Sequence, residues 1–260
     1  MKNSSVPVKS RGVVLFAYNT DVVDYVSIAQ KAARLIKHTL DLPTTIITDS
    51  DVINDFKNTR VGYANLTSWR NGGRYHAYEL SPYDETILLD SDYLQLDCGL
   101  LTVLDTTQDY RLIHNNSSPR SNMSGNMGTL SLDYIWATAI TFKRTEKTKL
   151  LFELVGRIQR NYGYYQKLYQ IVTRNFRNDY AFAIANNILS GYTTDKTNGV
   201  PWSMLTFDQP VDQIDILENK LIVREQDRAH IIPRQNIHII DKDYLQSDRF
   251  SKFVDDICQE

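Results

Sequence analysis

Cysteine is scarce in this sequence of 260 residues, and long hydrophobic runs are missing from it. Cys98 and Cys258 are its two cysteines and lie far apart, which excludes a disulfide framework and a cysteine metal motif. No apolar run approaches the ~20 residues that span a bilayer, and the polar start from Met1 to Lys9 lacks the apolar core of a signal peptide. These absences predict a cytoplasmic protein without a membrane segment.

An excess of charge of either sign is also lacking. The 29 Lys and Arg residues nearly balance the 31 Asp and Glu residues, so the net charge of -2 gives no bulk attraction for nucleic acid phosphates or anionic membranes. By contrast, 42% hydrophobic and 11% aromatic residues are enough to bury a substantial core. We therefore expect one α/β domain over residues 1–260.

The N-terminal part of the chain shows the pattern of a strand, a helix and a second strand. Gly12 to Tyr18 is a short apolar run, and Thr44 to Asp49 is another. Thr20 or Asp21 could cap the helix between them. The apolar residues Val22, Val26, Ala29, Ala33, Ile36 and Leu40 recur on one face of that helix. Two strands joined through a helix favour a parallel pair.

The remaining sequence continues this alternation. Thr86 to Asp90 is an apolar run of the kind found in a central strand, and it ends in an acid. Asn115 to Gly128 is rich in Asn, Ser and Gly, which predicts a mobile loop. Further predictions are a weak strand near Val61, a glycine loop over Trp69 to Arg74, helices over Tyr75 to Leu80, Thr145 to Asn161, Tyr164 to Val172 and Asn178 to Ser190, and strands over Tyr134 to Phe142 and Ile231 to Ile240.

Two aspartates carry the strongest chemical signal. Asp90 and Asp92 follow the apolar strand, and residues two apart in an extended segment point to the same side. Two carboxylates at the C-terminal edge of a parallel sheet could converge on one hard divalent cation. Aspartates after strands also act as helix caps or turn formers, which is the structural alternative.

The segment around these aspartates resembles a known family. Leu88-Leu-Asp-Ser-Asp-Tyr93 looks like the metal motif of GT-A glycosyltransferases, which include glycogenin-like and galactosyltransferase-like enzymes. Tyr75 to Asp92 is similar in style to glycosyltransferases of T-even-like tailed bacteriophages. The resemblance covers about residues 12–190 and implies a mainly parallel central sheet flanked by helices. It also implies a nucleotide-binding half over about 12–115 and an acceptor-side half with the tail over about 129–260.

The resemblance implies a donor site for a nucleotide-diphosphate sugar, with a UDP-sugar expected, and a divalent cation, Mn²⁺ or Mg²⁺. Tyr18 and Asn19 match the position where the family's first strand ends against the base, although they could simply cap a strand. Asp49 corresponds to a polar contact to base or ribose, or caps a turn. Arg74 lies where the family often carries a basic residue for diphosphate, which an arginine fork suits. Ser91 lies within the motif and is placed with the donor.

The resemblance also implies a late histidine as a metal ligand beside Asp90 and Asp92. His238, in Ile-His-Ile-Ile-Asp-Lys242, matches that segment, and His230 is the rival. Imidazole is an ordinary ligand for manganese-like ions. The basic Lys242 close behind is placed with the nucleotide-sugar donor.

Asp179 is the candidate catalytic residue. It lies at the start of a predicted helix, where some retaining members carry an Asp-Gln pair, but Tyr180 replaces the glutamine. A plain helix cap is the alternative for Asp179. Trp136 and Thr138 occupy the region of acceptor or sugar contacts, or pack in the core.

The leading hypothesis is a hexosyl- or pentosyltransferase acting on a hydroxyl acceptor. A phage-like origin suggests a hydroxymethylated base in DNA as the acceptor and the host cytoplasm as the location. The alternatives are a binding or scaffold protein without turnover and a sugar nucleotidyltransferase, although the turn after the first strand has neither glycine nor lysine. Stereochemistry and oligomeric state stay open.

Overall fold

A six-stranded sheet forms the centre of the structure, a computed structural model that describes residues 9–51, 56–62, 73–122, 126–127, 132–193 and 197–259. In order across the sheet, the strands are β3, β2, β1, β4, β11 and β6. Their bounds are β1 Arg11–Phe16, β2 Thr44–Thr48, β3 Lys57–Arg60, β4 Glu85–Leu89, β6 Tyr110–Ile113 and β11 Trp136–Lys143. Four neighbouring strands are parallel, while β11 runs antiparallel to β4 and to β6. The predicted mixed α/β architecture with a mainly parallel central sheet is confirmed.

Burial explains why these runs are central strands. Every residue of β2 and β4 is buried, and only the two ends of β1 are half-buried. The sequence of a strand that is covered on both faces is a continuous apolar run, whereas apolar and polar residues alternate in a strand that is covered on one face. The predicted parallel pairing is confirmed, with Val13 opposite Thr44 and Leu15 opposite both Ile46 and Leu89.

Helix α1, Tyr25–Leu40, connects the first two strands and begins later than predicted. Its N-cap is Asp24, which accepts a hydrogen bond from the backbone N–H of Ser27, so the prediction of Thr20 or Asp21 as the cap is wrong. Val22 is 78% exposed and lies outside the helix, whereas the rest of the predicted apolar face is buried. The helix ends at Asp41, in the left-handed conformation.

The four helices that the sequence predicts after α1 are close to their predicted positions, and among the described residues the structure adds three that the sequence does not predict. A single turn of 3₁₀ helix over Arg74–His76 leads into α2, Ala77–Leu80, and the later helices are α3 Gly99–Leu104, α4 Glu146–Arg160, α5 Tyr162–Leu168, α6 Asn178–Leu189, α7 Lys242–Gln246 and α8 Asp248–Gln259. Helix α5 is shorter than the predicted Tyr164 to Val172, and Val172 is 92% exposed. In α4, Leu150 lies outside the buried stripe that Leu151 and Val155 share.

Smaller sheets complete the architecture. A five-stranded sheet has the order β5, β16, β12, β7 and β8, and a three-stranded antiparallel sheet has the order β13, β14 and β15. Their bounds are β5 Tyr93–Leu94, β7 Asn116–Ser118, β8 Ser121–Asn122, β12 Met204–Phe207, β13 Gln213–Leu217, β14 Lys220–Glu225, β15 Arg228–Pro233 and β16 Ile237–Ile239; β9 Asn126–Met127 pairs with β10 Leu132–Asp133.

Two predictions for these regions are corrected. The segment predicted as one loop from Asn115 to Gly128 contains β7, β8 and β9, because its backbone pairs with other strands in spite of its polar composition. The strand-like sequence from Ile231 to Ile240 is divided between β15 and β16, which belong to different sheets. Within the described residues, no helix is both long and apolar enough to cross a membrane.

Candidate donor site

The C-terminal ends of the parallel strands place several predicted site residues at one edge of the central sheet. Phe16 of β1 lies opposite Ile47 of β2, and Leu15 lies opposite Leu89 of β4. Tyr18, Asp49 and Asp90 therefore follow their strands at the same edge. This is the edge at which open α/β sheets bind ligands.

A tight turn carries the acidic motif from the central sheet into the second sheet. The backbone N–H of Asp90 donates to Thr138 O on β11, at 2.8 Å, and the N–H of Tyr93 returns to Asp90 O at 3.1 Å. Asp92 O accepts a hydrogen bond from the N–H of Ile239, at 3.0 Å, and Tyr93 pairs with His238. The two aspartates are thus fixed by backbone bonds on both sides, and His238 is brought beside them by strand pairing.

Arg74 reaches the first aspartate from a buried position. Its side chain is 7% exposed, and Nη1 forms an ion pair with Asp90 Oδ1. The preceding Gly73 has a φ of 88°, which favours glycine, and its N–H donates to Gln159 Oε1 at 3.0 Å. In the part of the chain that is described, Nε and Nη2 of Arg74 are buried and have no hydrogen-bond partner. Three guanidinium N–H groups, one on Nε and two on Nη2, are therefore left for a ligand at this edge, since an unpaired buried donor is costly.

Asp92 lies between two basic side chains. Lys242, at the start of α7, forms an ion pair with Asp92 Oδ2 and also donates to Ile240 O at 3.1 Å. His238 Nε2 lies 3.4 Å from Asp92 Oδ1. That carboxylate oxygen is buried and accepts no hydrogen bond from the described residues. The space between Oδ1 and Nε2 therefore suits a positive centre, either a proton or a metal ion.

The hydrogen bonds of Thr206 indicate which ring nitrogen of His238 carries the proton in the neutral form. The Thr206 hydroxyl donates to Asn116 Oδ1 at 2.9 Å, so its oxygen is left to accept from His238 Nδ1 at 3.2 Å. In the neutral ring the proton is then on Nδ1, and Nε2 presents a lone pair toward Asp92. An orienting partner of this kind is usual behind a histidine that binds a metal.

The charges around the motif shift the two carboxyl groups in opposite directions. Loss of solvent, together with the charge of Asp92, raises the pKa of Asp90 to about 6, although Arg74 acts against this. Burial would raise the pKa of Asp92 too, but the charge of His238 in its protonated form and the charge of Lys242 outweigh it and hold that pKa below its usual value. Asp92 is therefore the carboxylate that stays ionised, and Asp90 is the one that depends on a cationic partner.

Asp179 lies near this cluster but is engaged by its own neighbours. Oδ1 accepts a hydrogen bond from the N–H of Ala137 on β11, at 2.8 Å, and Oδ2 accepts from Arg177 Nη2 at 2.9 Å. The residue at the N-cap of α6 is Arg177, so the alternative that Asp179 is a plain cap is wrong. The carboxylate instead ties the start of α6 to the strand beside Asp90, where its charge contributes to the raised pKa of Asp90.

The residues predicted at the nucleotide base have structural contacts of their own. The half-buried Tyr18 donates its hydroxyl to Val61 O, at 3.0 Å, and Asn19 Oδ1 accepts from the N–H of Val26 at the start of α1. Asp49 is exposed and accepts from Ser50 Oγ at 3.4 Å. Ser91 is buried within the turn of the motif. Base and ribose contacts for these side chains stay predictions.

The remaining candidates contact other residues in the structure or lie outside the described residues. His230 lies on β15 and contacts Glu225 Oε2 at 3.0 Å, so His238 and not His230 is the histidine beside Asp92. Trp136 is buried in the core and packs against Tyr134, with ring centroids 4.8 Å apart. Of the predicted glycine loop, residues 69–72 lie outside the described residues.

Thr206 and Asn116 were not predicted from the sequence. Nothing in Met-Leu-Thr-Phe distinguishes Thr206 from an ordinary strand threonine, and Asn116 lies in a segment whose composition is typical of a loop. These two residues come together because β12 pairs with both β7 and β16. The paired strands are distant in the sequence, so no local pattern indicates the contact.

The donor atoms fit a hard divalent cation, although a complete ligand set is not assembled. The unsatisfied oxygen of Asp92 and the lone pair of His238 Nε2 are atoms that manganese or magnesium sites use. Asp90 is turned to Arg74, and no group of three or more His, Cys, Asp or Glu side chains among the described residues is arranged to hold a metal ion. The set of Asp90, Asp92 and His238 therefore stays a prediction.

Comparison with known proteins gives similarities in structure alone. No protein-family model matches the chain, and no curated protein matches it. The galactosyltransferase LgtC, solved with donor and acceptor sugar analogs, is 12% identical, with 94% of this chain and 95% of that chain covered and a TM-score of 0.47.

Two other solved structures match over shorter stretches. The apo-form glycosyltransferase GlyE of Streptococcus pneumoniae TIGR4 is 12% identical, with 73% of this chain covered and a TM-score of 0.40. The bifunctional IspDF of Campylobacter jejuni is 10% identical, with 67% of this chain covered and a TM-score of 0.39. The chain spans 44% of the length of GlyE and 47% of that of IspDF. With TM-scores below 0.5, these similarities support no statement about activity, which has to come from the site itself.

Proposed function

We propose that the chain is a glycosyltransferase that moves a sugar from a nucleotide-diphosphate donor to a hydroxyl acceptor with the help of a divalent cation. The observation that carries this proposal is the pairing of two carboxylates with three basic side chains at one edge of the central sheet. Asp90 is paired with Arg74, and Asp92 is held between Lys242 and His238. Such a set can accept a cation and an anion together.

The carboxylates and the imidazole are the proposed metal ligands. Asp92 contributes an ionised carboxylate, Asp90 a second one, and His238 the lone pair of Nε2 that Thr206 orients. When bound there, a divalent cation supplies a Lewis acid that neutralises charge on the departing diphosphate. Asp90 and Asp92 would then no longer need Arg74 and Lys242 as their only partners.

The two basic side chains are the proposed diphosphate ligands. Two buried nitrogens of Arg74, Nε and Nη2, have no hydrogen-bond partner among the described residues, and Lys242 is 20% exposed at the start of a helix. A guanidinium suits two phosphate oxygens at once, and an ammonium acts as a point charge. Preorganised donors of this kind stabilise the charge that builds up on the leaving nucleotide.

The finer assignments extend the same proposal. Tyr18, Asn19 and Asp49 would contact base and ribose, with UDP as the expected nucleotide, and Ser91 would lie against the donor. Asp179 would act at the transferred hexose or pentose. A hydroxymethylated base in phage DNA is the proposed acceptor, and it would have to be flipped or presented to the site.

One observation favours a second candidate, a nucleotide-binding protein without turnover. Both carboxylate oxygens of Asp179 hold structural contacts, one with Ala137 N–H and one with Arg177, and each keeps a further lone pair. A binding protein needs only these contacts, whereas a transferase needs a remaining lone pair of Asp179 to reach the transferred sugar.

Thermal unfolding with a panel of nucleoside diphosphates, each with and without manganese, tests the proposal. Ligands that bind the folded chain raise its melting temperature by mass action. We expect a shift that needs both nucleotide and metal, that disappears in Asp92→Asn, and that survives in Asp227→Asn, an exposed aspartate in the turn between β14 and β15. No shift with any nucleotide would overturn both candidates.

Transfer separates the two candidates that remain. The nucleotide sugar that stabilises the chain is incubated with the protein, manganese and either simple glycosides or hydroxymethylated DNA, and release of nucleoside diphosphate is measured. Release that depends on the acceptor supports the transferase. Stabilisation without release supports the binding protein.

A further inference from the structure

One segment of the chain differs in charge from the rest of it. Residues 154–178 contain five of the chain's 29 Lys and Arg residues and none of its 31 Asp and Glu residues. They cover the end of α4, all of α5 and the connection to α6. Because the whole chain carries a net charge of -2, this segment is a local concentration of positive charge on an acidic background.

The same segment exposes large apolar side chains. Tyr164 is 65% exposed, Leu168 48% and Val172 92%. Tyr164 and Leu168 are one helical turn apart and so share a face of α5. The core side of α5 is supplied by Tyr162 and Tyr165, which are buried, so the outward residues are not needed for packing.

The positive charges on this surface are mostly uncompensated. In the described parts of the chain, no carboxylate lies within ion-pair distance of Arg157, Lys167 or Arg174, all of which are exposed. Arg160 lies over the ring of Tyr75, 5.7 Å from its centroid. Arg177 is also exposed but is paired with Asp179. We call the other exposed cationic and large apolar side chains of this segment the basic face, defined as Arg157, Arg160, Tyr164, Lys167, Leu168, Val172 and Arg174.

We propose that the basic face binds the surface of an anionic lipid membrane. Tyrosine is suited to the boundary between water and hydrocarbon, and Leu168 and Val172 would leave water by entering that boundary. Lysine and arginine can keep their charges among anionic headgroups while their stems cover apolar surface.

A nucleic acid would use only part of this surface. Its phosphates would pair with the cations, and one base could stack on Tyr164, but Leu168 and Val172 would gain little from such a contact. The combination of uncompensated cations with exposed aliphatic side chains therefore favours a lipid surface. This proposal does not depend on the activity of the donor site.

Flotation of the full chain with vesicles tests it. We expect binding to phosphatidylglycerol vesicles, weak or no binding to phosphatidylcholine vesicles, and release at high salt. The double variant Lys167→Glu with Arg174→Glu should weaken binding at least about tenfold, because each cation near the membrane surface contributes several-fold. Leu168→Ser with Val172→Ser should weaken it as well, which purely electrostatic adsorption would not.

The matched control is Lys220→Glu with Arg228→Glu, two exposed cations on β14 and β15. This variant has the same change in net charge and should bind vesicles as the unaltered chain does. Melting temperatures within the error of the unaltered chain show that all variants are folded. Absence of vesicle binding, an equal loss in the control, or binding of an oligonucleotide in place of vesicles would each overturn the lipid proposal.

Discussion

Replacing Thr206 by valine tests whether the orientation of His238 is part of the metal site. Thr206 is fully buried and touches no ligand position itself. Valine has nearly the same shape but no hydroxyl, so His238 Nδ1–H loses its acceptor at 3.2 Å. The neutral ring is then free to place its proton on Nε2, the nitrogen that faces Asp92, and a protonated Nε2 cannot bind a metal.

The size of the effect follows from the hydrogen bond that is lost. A bond of this kind has a net value of about 1 to 1.5 kcal/mol, which corresponds to a change of roughly five- to tenfold in the population of the competent tautomer. Loss of an orienting partner also loosens the ring, and such losses cost about 10- to 100-fold in metal affinity. We therefore expect manganese to bind about tenfold more weakly, with a further cost of about 0.5 to 1.5 kcal/mol to folding from the lost hydrogen bond between Thr206 and Asn116.

Calorimetric titration with manganese, in the presence of a saturating nucleoside diphosphate, measures the affinity, and nitrogen chemical shifts of labelled histidine report the tautomer of His238 without any turnover. The matched control is Thr141→Val, a threonine on β11 that is 3% exposed and distant in sequence from the motif. The reasoning is refuted if Thr206→Val binds manganese as tightly as the unaltered chain, or if its His238 keeps the proton on Nδ1.

Three further substitutions probe the donor edge and the fold. Arg74→Ala should leave Asp90 without its ion pair and weaken nucleoside diphosphate binding by roughly 10-fold or more, measured calorimetrically, since a charge-assisted pair contributes about 1.5 to 3 kcal/mol; unchanged affinity would remove Arg74 from the donor site. Gly12→Ala should destabilise by about 1 to 3 kcal/mol in urea unfolding, because the new methyl group would lie 2.2 Å from a ring carbon of the buried Tyr83. Asp24→Ala should cost about 1 kcal/mol in the same assay through loss of the cap of α1, and a neutral result would contradict its capping role.

The central sheet could be predicted because its signals are local. The apolar runs that became β1, β2 and β4 are short, continuous and bounded by polar residues, and burial on both faces leaves that pattern in the sequence itself. The start of α1 could not be predicted, because several polar residues compete there. Asn19 and Thr20 both accept backbone hydrogen bonds, but Asp24 holds the N-cap.

The candidate donor site could be predicted only in part, because half of it depends on contacts between residues that are distant in the sequence. Asp90 and Asp92 are adjacent and follow a strand, so they could be paired from the sequence. Their basic partners come from elsewhere, with Lys242 150 residues after Asp92. The short strands β5 and β16 bring His238 to the motif, and strands of two or three residues leave no pattern that a sequence can show.

The charges of the site indicate that binding of the divalent cation and binding of the diphosphate depend on each other. With neither ligand, Arg74 and Lys242 are neutralised by Asp90 and Asp92. A metal ion alone would draw the carboxylates away and leave a mostly buried arginine and lysine without counter-charges, and a diphosphate alone would do the same to the carboxylates. Each ligand therefore supplies the charge that the other displaces, so each should raise the affinity of the other by the same factor, because coupling between two binding events is reciprocal.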